Sequence, residues 1–203
     1  IEYLDDNINI DIFSKESNKY IIEDIFDLNY LQFINSKNFC KFDKFFNCHV
    51  DRVGIYLYDF YKNNVSLLSS ILFCLDSDFC TLEIEDQMFY IKTVNEKILS
   101  DTVSHIFRIK NISKQMIISN MKNKKTINNL DIYIYACYFN INIFVFDFVT
   151  NDITLYYLEN EFNMYKKNIF LSKKENQYNP LVYKNDNGRI FNYNSSILES
   201  ILY

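Results

Sequence analysis

The chain has 203 residues and a mass of 24.5 kDa; it is 49% hydrophobic and 18% aromatic, with 17 Tyr and 19 Phe but no Trp, 2 Gly and 1 Pro. That is enough apolar material to bury one core. It excludes collagen-like, linker-rich and disordered classes, and also phosphate-cradling loops, which need several glycines at fixed spacing. A net charge of −5 and a pI near 5.1 leave no basic footprint for nucleic acid, so such a partner is not expected. The abundance of Asn, Lys, Ile, Tyr and Phe matches an AT-rich coding sequence and carries no function of its own.

Residues 1–18 read as a polar extended arm in which Ile8, Ile10 and Ile12 alternate with Asn and Asp. The apolar positions Ile21, Ile25, Leu28 and Leu31 recur at helical spacing and predict a helix over residues 20–34, followed by a loop over 36–47. A strand or the approach to one is expected over 53–60, around Gly54. After the polar turn Lys62, Asn63 and Asn64, a stripe of Leu67, Leu68, Ile71, Leu72 and Leu75 predicts a buried helix over 66–75. The start of such a helix presents unpaired N–H groups and a positive dipole end, a favourable place for a nucleophile or an oxyanion. Residues 88–107 form one long amphipathic helix or two in succession, with His105 read as a partly buried helical histidine.

In the C-terminal half Ile127, Leu130, Ile134 and Cys137 predict a further buried helix, with Asn140 as its stop. The β-branched and aromatic run 141–148 is a core strand, Asn151 and Asp152 a turn, and 153–158 the returning strand of a hairpin. Two more short strands are expected at 169–172 and 181–183, separated by the polar segment 173–179. Helices lead and strands cluster late, which makes the class α+β (mixed α/β), with helices packed on a small mixed sheet. No internal repeat is present.

The cysteines at 40, 48, 74, 80 and 137 are odd in number and lack a Cys-x-x-Cys pair, which points to reduced thiols in a reducing compartment. Cys40, Cys48 and His49 are candidate soft ligands, but no fourth ligand stands at a recognisable spacing, so no metal and no cofactor is expected. The acidic pairs Asp76 and Asp78, Glu83 and Glu85, and Asp5 and Asp6 read as exposed loop acids, and the lysines Lys122, Lys124, Lys125, Lys173 and Lys174 as solvated surface. No apolar run reaches the roughly 18 residues of a membrane-spanning helix, and no membrane partner is expected. The sequence begins at Ile1 without a methionine, and the expectation is a processed product or part of something larger.

Two segments together resemble the ovarian tumour (OTU) family of papain-like cysteine proteases, most of which remove ubiquitin. The family's nucleophile motif is Asp-Gly-x-Cys opening an apolar helix; the corresponding stretch is Asn63-Asn64-Val65-Ser66-Leu67-Leu68-Ser69-Ser70-Ile71. The second match is the helix and strand Leu130-Asp131-Ile132-Tyr133-Ile134-Tyr135-Ala136 and Asn140-Ile141-Asn142-Ile143-Phe144-Val145. It leads to Ile169-Phe170-Leu171 and then to Gln177-Tyr178-Asn179-Pro180-Leu181-Val182, where the family has a His-Tyr pair. The resemblance spans residues 63–183 and implies an OTU-like architecture, with residues 63–203 as the OTU-like domain and 1–62 as an N-terminal extension and helix packed on it.

The resemblance also places the altered site. It puts Ser66 at the nucleophile, Gln177 at the base, Asn63 and Asn64 at the preceding acid and glycine, and Asn179 at the residue that orients the histidine. A serine hydroxyl has a far higher pKa than a thiol and needs a base still more, and a glutamine amide cannot act as one. Independently of that alignment, the chain has 2 His, His49 and His105, and a papain-like order needs its base near the C-terminal strands. His49 adjoins Cys48, and neighbours in extended chain point to opposite sides. Cys74 and Cys80 flank the end of a buried helix and read as packed small hydrophobes.

The expectation is therefore a catalytically inactive OTU-like domain with a structural or protein-binding role in a larger assembly, such as the particle of a large DNA virus, cytoplasmic or virion-associated. Its expected partners are other proteins of that assembly, with ubiquitin as a candidate. The alternatives are an active OTU-like deubiquitinase or cysteine protease whose nucleophile lies elsewhere, at Cys74 or Cys48, and a non-catalytic ubiquitin-binding module.

Overall fold

The computed structural model describes residues 31–35, 50–55, 58–59, 62–101, 114–122, 126–150, 152–157, 162–184 and 186–202. The expected arm 1–18, most of the expected helix 20–34, the loop 36–47, and Cys40, Cys48, His49 and His105 lie outside these residues. In chain order the elements are β1 (Leu31–Asn35), β2 (Val50–Arg52), α1 (Ser66–Leu75), a 3-10 turn (Phe79–Thr81), α2 (Ile84–Asp101), α3 (Lys114–Lys122), α4 (Asn129–Phe139), β3 (Asn142–Asp147), β4 (Asp152–Tyr156), β5 (Asn168–Lys174), β6 (Gln177–Tyr183) and α5 (Ser196–Leu202).

The strands form one sheet of order β1-β4-β3-β5-β6-β2, in which β3 and β5 run parallel and the other pairs antiparallel. The class is α+β, as the order of helices and strands implied. Alternation along the central strands separates two cores. Ile143, Val145, Ile169, Leu171 and Tyr178 pack with α1 to α4, while Phe144, Phe146, Phe170 and Leu181 pack with Phe191 and with Ile197, Leu198 and Ile201 of α5. Phe170 and Phe191 stack with ring centroids 3.8 Å apart.

Helix α1 has the predicted bounds, and the 3.6-residue stripe locates it because one face must be buried. Helix α4 is closed at both ends by local chemistry. Asn128 and Asp131 form a reciprocal capping box, and Asn140 ends the helix in the left-handed region at φ 52. Four expectations are corrected. Residues 31–35, placed at the end of a helix, form a strand that pairs along its whole length with β4; a few apolar positions at helical spacing do not outweigh a five-residue ladder. The described residues of 53–60 form no strand, and β2 begins three residues earlier. Val53 N–H still reaches the Pro180 carbonyl (3.0 Å). Helix α2 starts at Ile84 rather than 88, with Glu85 and Asp86 in its first turn where carboxylates offset the helix dipole.

The fourth correction has the most consequence. The polar segment 173–179 is strand rather than loop, because β5 and β6 continue to a two-residue turn at Glu175 and Asn176. Lys173 is held by an ion pair to Asp147 on the parallel neighbour (2.7 Å), and Ser172 Oγ donates to the Asn179 carbonyl (3.2 Å). Pro180 is accommodated because it takes its place on the outer edge of β6, where its carbonyl serves Val53 and no N–H is needed. Helices α3 and α5 had no counterpart in the sequence reading. The start of α5 is fixed by Ser195 Oγ, which accepts from Leu198 N–H (3.2 Å).

Arg189 ties the chain after β6 to the end of α1. Its Nη1 donates to the Phe73 carbonyl (3.0 Å) and to Cys80 Sγ (2.9 Å), and its guanidinium lies 4.3 Å from the Phe73 ring centre. A cation on the last carbonyls of a helix meets the negative end of its dipole. Arg189→Ala is expected to lower the unfolding free energy by about 1–3 kcal/mol, read as a lower urea midpoint at unchanged slope; Arg189→Lys keeps the charge but not the fork, and recovers only part of it.

Candidate active-site position at the start of helix α1

The chain enters α1 through a tight turn. Asp59 accepts two hydrogen bonds from Asn63, from its N–H and from Nδ2 (2.9 Å each), and Asp59 N–H donates to the Asn63 carbonyl (3.0 Å). Lys62 carries the left-handed conformation of this turn, φ 62, whereas Asn64 does not. Tyr58 and Asn64 form an isolated antiparallel bridge. Asn63 is thus a turn residue, and Asn64 is delivered to the interior with 2% of its surface exposed.

Asn64 organises the helix start. Val65, the N-cap, supplies no side-chain bond, and the Asn64 amide oxygen takes that role, accepting from Ser66 N–H (3.0 Å) and from Ser66 Oγ (2.8 Å). The Asn64 Nδ2 donates to the Asn176 carbonyl in the β5–β6 turn (2.7 Å), and the Asn176 Oδ1 accepts from Ile127 N–H ahead of α4 (3.0 Å). One asparagine pair therefore joins three segments that are distant in sequence.

Ser66 is fully buried, and both of its hydrogen-bonding capacities are in use. Its hydroxyl donates to Asn64 and accepts from Tyr178 N–H (3.1 Å). One turn on, Ser70 Oγ donates to the Tyr178 carbonyl (3.0 Å). Two serines four residues apart on α1 thus complete the outward backbone groups of Tyr178, where a further strand would otherwise pair. The structure brings Ser66 against the residue that follows Gln177, and it places Gln177 and Asn179 side by side on β6, with Gln177 Nε2 3.4 Å from Asn179 Oδ1. Gln177 and Asn179 are both buried. Of the five predicted positions, Asn64 and Ser66 thus bond to each other at the helix start, Ser66 reaches β6 through Tyr178, between Gln177 and Asn179, and Asn63 bonds to Asp59 in the turn ahead of the helix. The role of Asn64 as a cap and that of Ser70 as an edge partner were not foreseen; Asn followed by Ser two residues on, before an apolar run, was the available signal.

Chemically this arrangement holds a hydroxyl and does not activate it. The Ser66 proton rests on an amide oxygen, which cannot take it, and a lone pair is directed at a backbone N–H. The described thiols are also unsuited to attack. Burial pushes Cys74 and Cys137 up to about 12, and burial raises Cys80 as well, against the opposing influence of Arg189. Among the described residues no three His, Cys, Asp or Glu side chains gather as a metal site, and no helix is long and apolar enough to cross a membrane.

These features define a mixed sheet between helical layers, with a serine bonded on both sides at the start of the helix that packs on the sheet edge. No family model matches the chain, and no curated protein matches it. The solved structures it is similar to are OTU domains. An OTU domain in complex with ubiquitin shares 16% identity, covering 75% of this chain and 80% of that one, with a TM-score of 0.49. The viral OTU domain protease from Dera Ghazi Khan virus shares 12%, covering 77% and 92%, with a TM-score of 0.48. That from Taggert virus shares 8%, covering 69% and 83%, with a TM-score of 0.44.

Proposed function

We propose that the chain is a catalytically inactive OTU-like domain that acts by binding other proteins in a larger assembly. The observation that carries this reading is the engagement of Ser66 Oγ, which is fully buried, donates its proton to an amide oxygen rather than to a base, and accepts from the Tyr178 N–H. Gln177 supports it, because its amide lies beside Asn179, where the family pattern calls for an imidazole and its orienting partner. Exposed aromatic side chains give the binding role a physical basis. Phe89 is 72% exposed and Tyr165 74%, and Tyr165 packs its ring against Tyr193 at 4.8 Å. Large rigid rings of this kind are favoured as anchors in protein contacts.

The test is incubation with ubiquitin bearing a cysteine-reactive group at its C-terminus. Neither the native chain nor Ser66→Cys is expected to form an adduct, since the introduced thiol is buried and lacks a base. Labelling of the native chain that disappears in Cys74→Ala or Cys48→Ala would establish an active thiol and overturn the proposal. Parallel titration with unmodified ubiquitin, followed by NMR, shows whether ubiquitin is among the proteins bound.

A further inference from the structure

The loop after β6 contains a reactive backbone dipeptide that the site at α1 does not involve. Of the two glycines in the chain, Gly54 follows Val53 and Gly188 follows Asn187, so Asn187–Gly188 is the one Asn-Gly pair. Asn187 is exposed and left-handed, with φ 54, a conformation that asparagine tolerates better than most residues. The loop folds back on the strand end through Asn187 N–H to the Tyr183 carbonyl (2.9 Å) and Tyr183 N–H to the Gly188 carbonyl (2.8 Å). Gly188 N–H donates to Asp186 Oδ1 (2.8 Å). A Cβ at Gly188 would lie 2.9 Å from both Tyr183 Cδ2 and Asp186 Oδ1, so a side chain here would have to displace the Tyr183 ring and the Asp186 carboxylate.

With no Cβ of its own, Gly188 leaves its nitrogen, held only by the exposed Asp186 carboxylate, next to an exposed carboxamide. Asn140, Asn142 and Asn168, in contrast, each precede an isoleucine, whose branched side chain crowds the following nitrogen, and the last two are fully buried as well. We propose that Asn187 is a site of spontaneous modification by water, converting to aspartate and isoaspartate. On opening of the turn the Gly188 nitrogen, its proton lost to solvent base, attacks Asn187 Cγ. The Cγ–Nδ2 bond breaks and that nitrogen leaves as ammonia after taking a proton from water, giving a five-membered imide. Water then adds to one of its two carbonyls. Cleavage of the new Cγ–N bond leaves aspartate, and cleavage of the original peptide C–N bond leaves isoaspartate, with the main chain rerouted through Cβ and Cγ. No electrons are exchanged with any other reactant.

The products place a second carboxylate beside Asp186 and, for isoaspartate, add a backbone atom to a loop closed by the Tyr183 bonds, two residues before Arg189. The experiment ages the full chain in neutral and in mildly alkaline buffer and follows the tryptic peptide 185–189, released by cleavage after Lys184 and Arg189. The expected result is a gain of about one dalton in that peptide, faster at the higher pH because an amide proton must be lost, together with isoaspartyl carboxylates detectable by enzymatic methylation. Asn187→Gln, whose longer side chain would have to close a six-membered ring, is expected to abolish the gain. A peptide that keeps its mass, or a gain that persists in Asn187→Gln and so originates at Asn185, would overturn the assignment.

Discussion

Asn168→Ala is expected to lower the unfolding free energy by about 3–5 kcal/mol, from the desolvated groups it would leave unpaired. Asn168 stands at the first position of β5, fully buried, opposite Asn142 at the first position of the parallel strand β3. Its Nδ2 reaches the carbonyls of Met164 (3.1 Å), Lys166 (3.0 Å) and Phe191 (2.9 Å), and its Oδ1 accepts from Asn142 Nδ2 (2.8 Å). One side chain thus holds the loop ahead of β5, the segment that brings Phe191 onto Phe170, and the register of the parallel pair. Alanine removes all four bonds and leaves the three carbonyls and the Asn142 amide without this partner, and the loop that Asn163 also ties to Asn142 loosens with them. Asn168→Asp keeps an acceptor for Asn142 but faces three carbonyls with a carboxylate, and is expected to be at least as damaging. At roughly 2–4 °C per kcal/mol for a chain of this size, the melting temperature of Asn168→Ala falls by about 10 °C. A drop within the scatter of replicate melts would show that the asparagine ladder does not hold the sheet.

The second large effect separates the proposed function from its rival. In an enzyme that uses a serine nucleophile, removal of the hydroxyl abolishes turnover and leaves stability nearly unchanged. Here Ser66→Ala is expected to cost about 1–3 kcal/mol, because Tyr178 N–H loses its acceptor inside the protein while the Asn64 amide oxygen keeps only the Ser66 N–H. Ser70→Ala removes the companion bond to the Tyr178 carbonyl and should destabilise in the same sense. Both bonds converge on the backbone of one residue, so the double variant should fall short of or exceed the sum of the singles. Denaturant titrations of the three variants, read at constant slope, measure this. A Ser66→Ala protein with an unshifted midpoint would leave the hydroxyl without a structural role and reopen the question of a reactive one.

Much of this architecture was legible in the chain, and the failures have a common cause. The bounds of α1 and the capped helix α4 follow from short-range rules, namely one apolar stripe and the Asn128, Asp131 and Asn140 chemistry. The hairpin of β3 and β4 follows from the β-branched and aromatic runs on either side of a polar turn. The strands at 31–35 and 173–179 leave no local signal because their conformation depends on partners more than 100 residues away or across the sheet. Five residues of β1 become strand by pairing with β4, and Lys173 becomes a strand residue by meeting Asp147. Polar residues enter a strand when each finds a specific partner, and local composition does not record those partners.

The same division runs through the candidate site. Residue identity alone decided that no proton acceptor stands at position 177 and no thiol at 66, because an amide is not a base and a serine is not a cysteine, whatever surrounds them. The tertiary structure decided what those residues do instead. The bond from Tyr178 N–H to Ser66 Oγ spans 112 positions, and the bond from Asn64 to Asn176 joins the same two regions. Such contacts exist only once α1 is laid against the edge of β6, where buried backbone groups must be paired and a nearby hydroxyl is the group available to pair them.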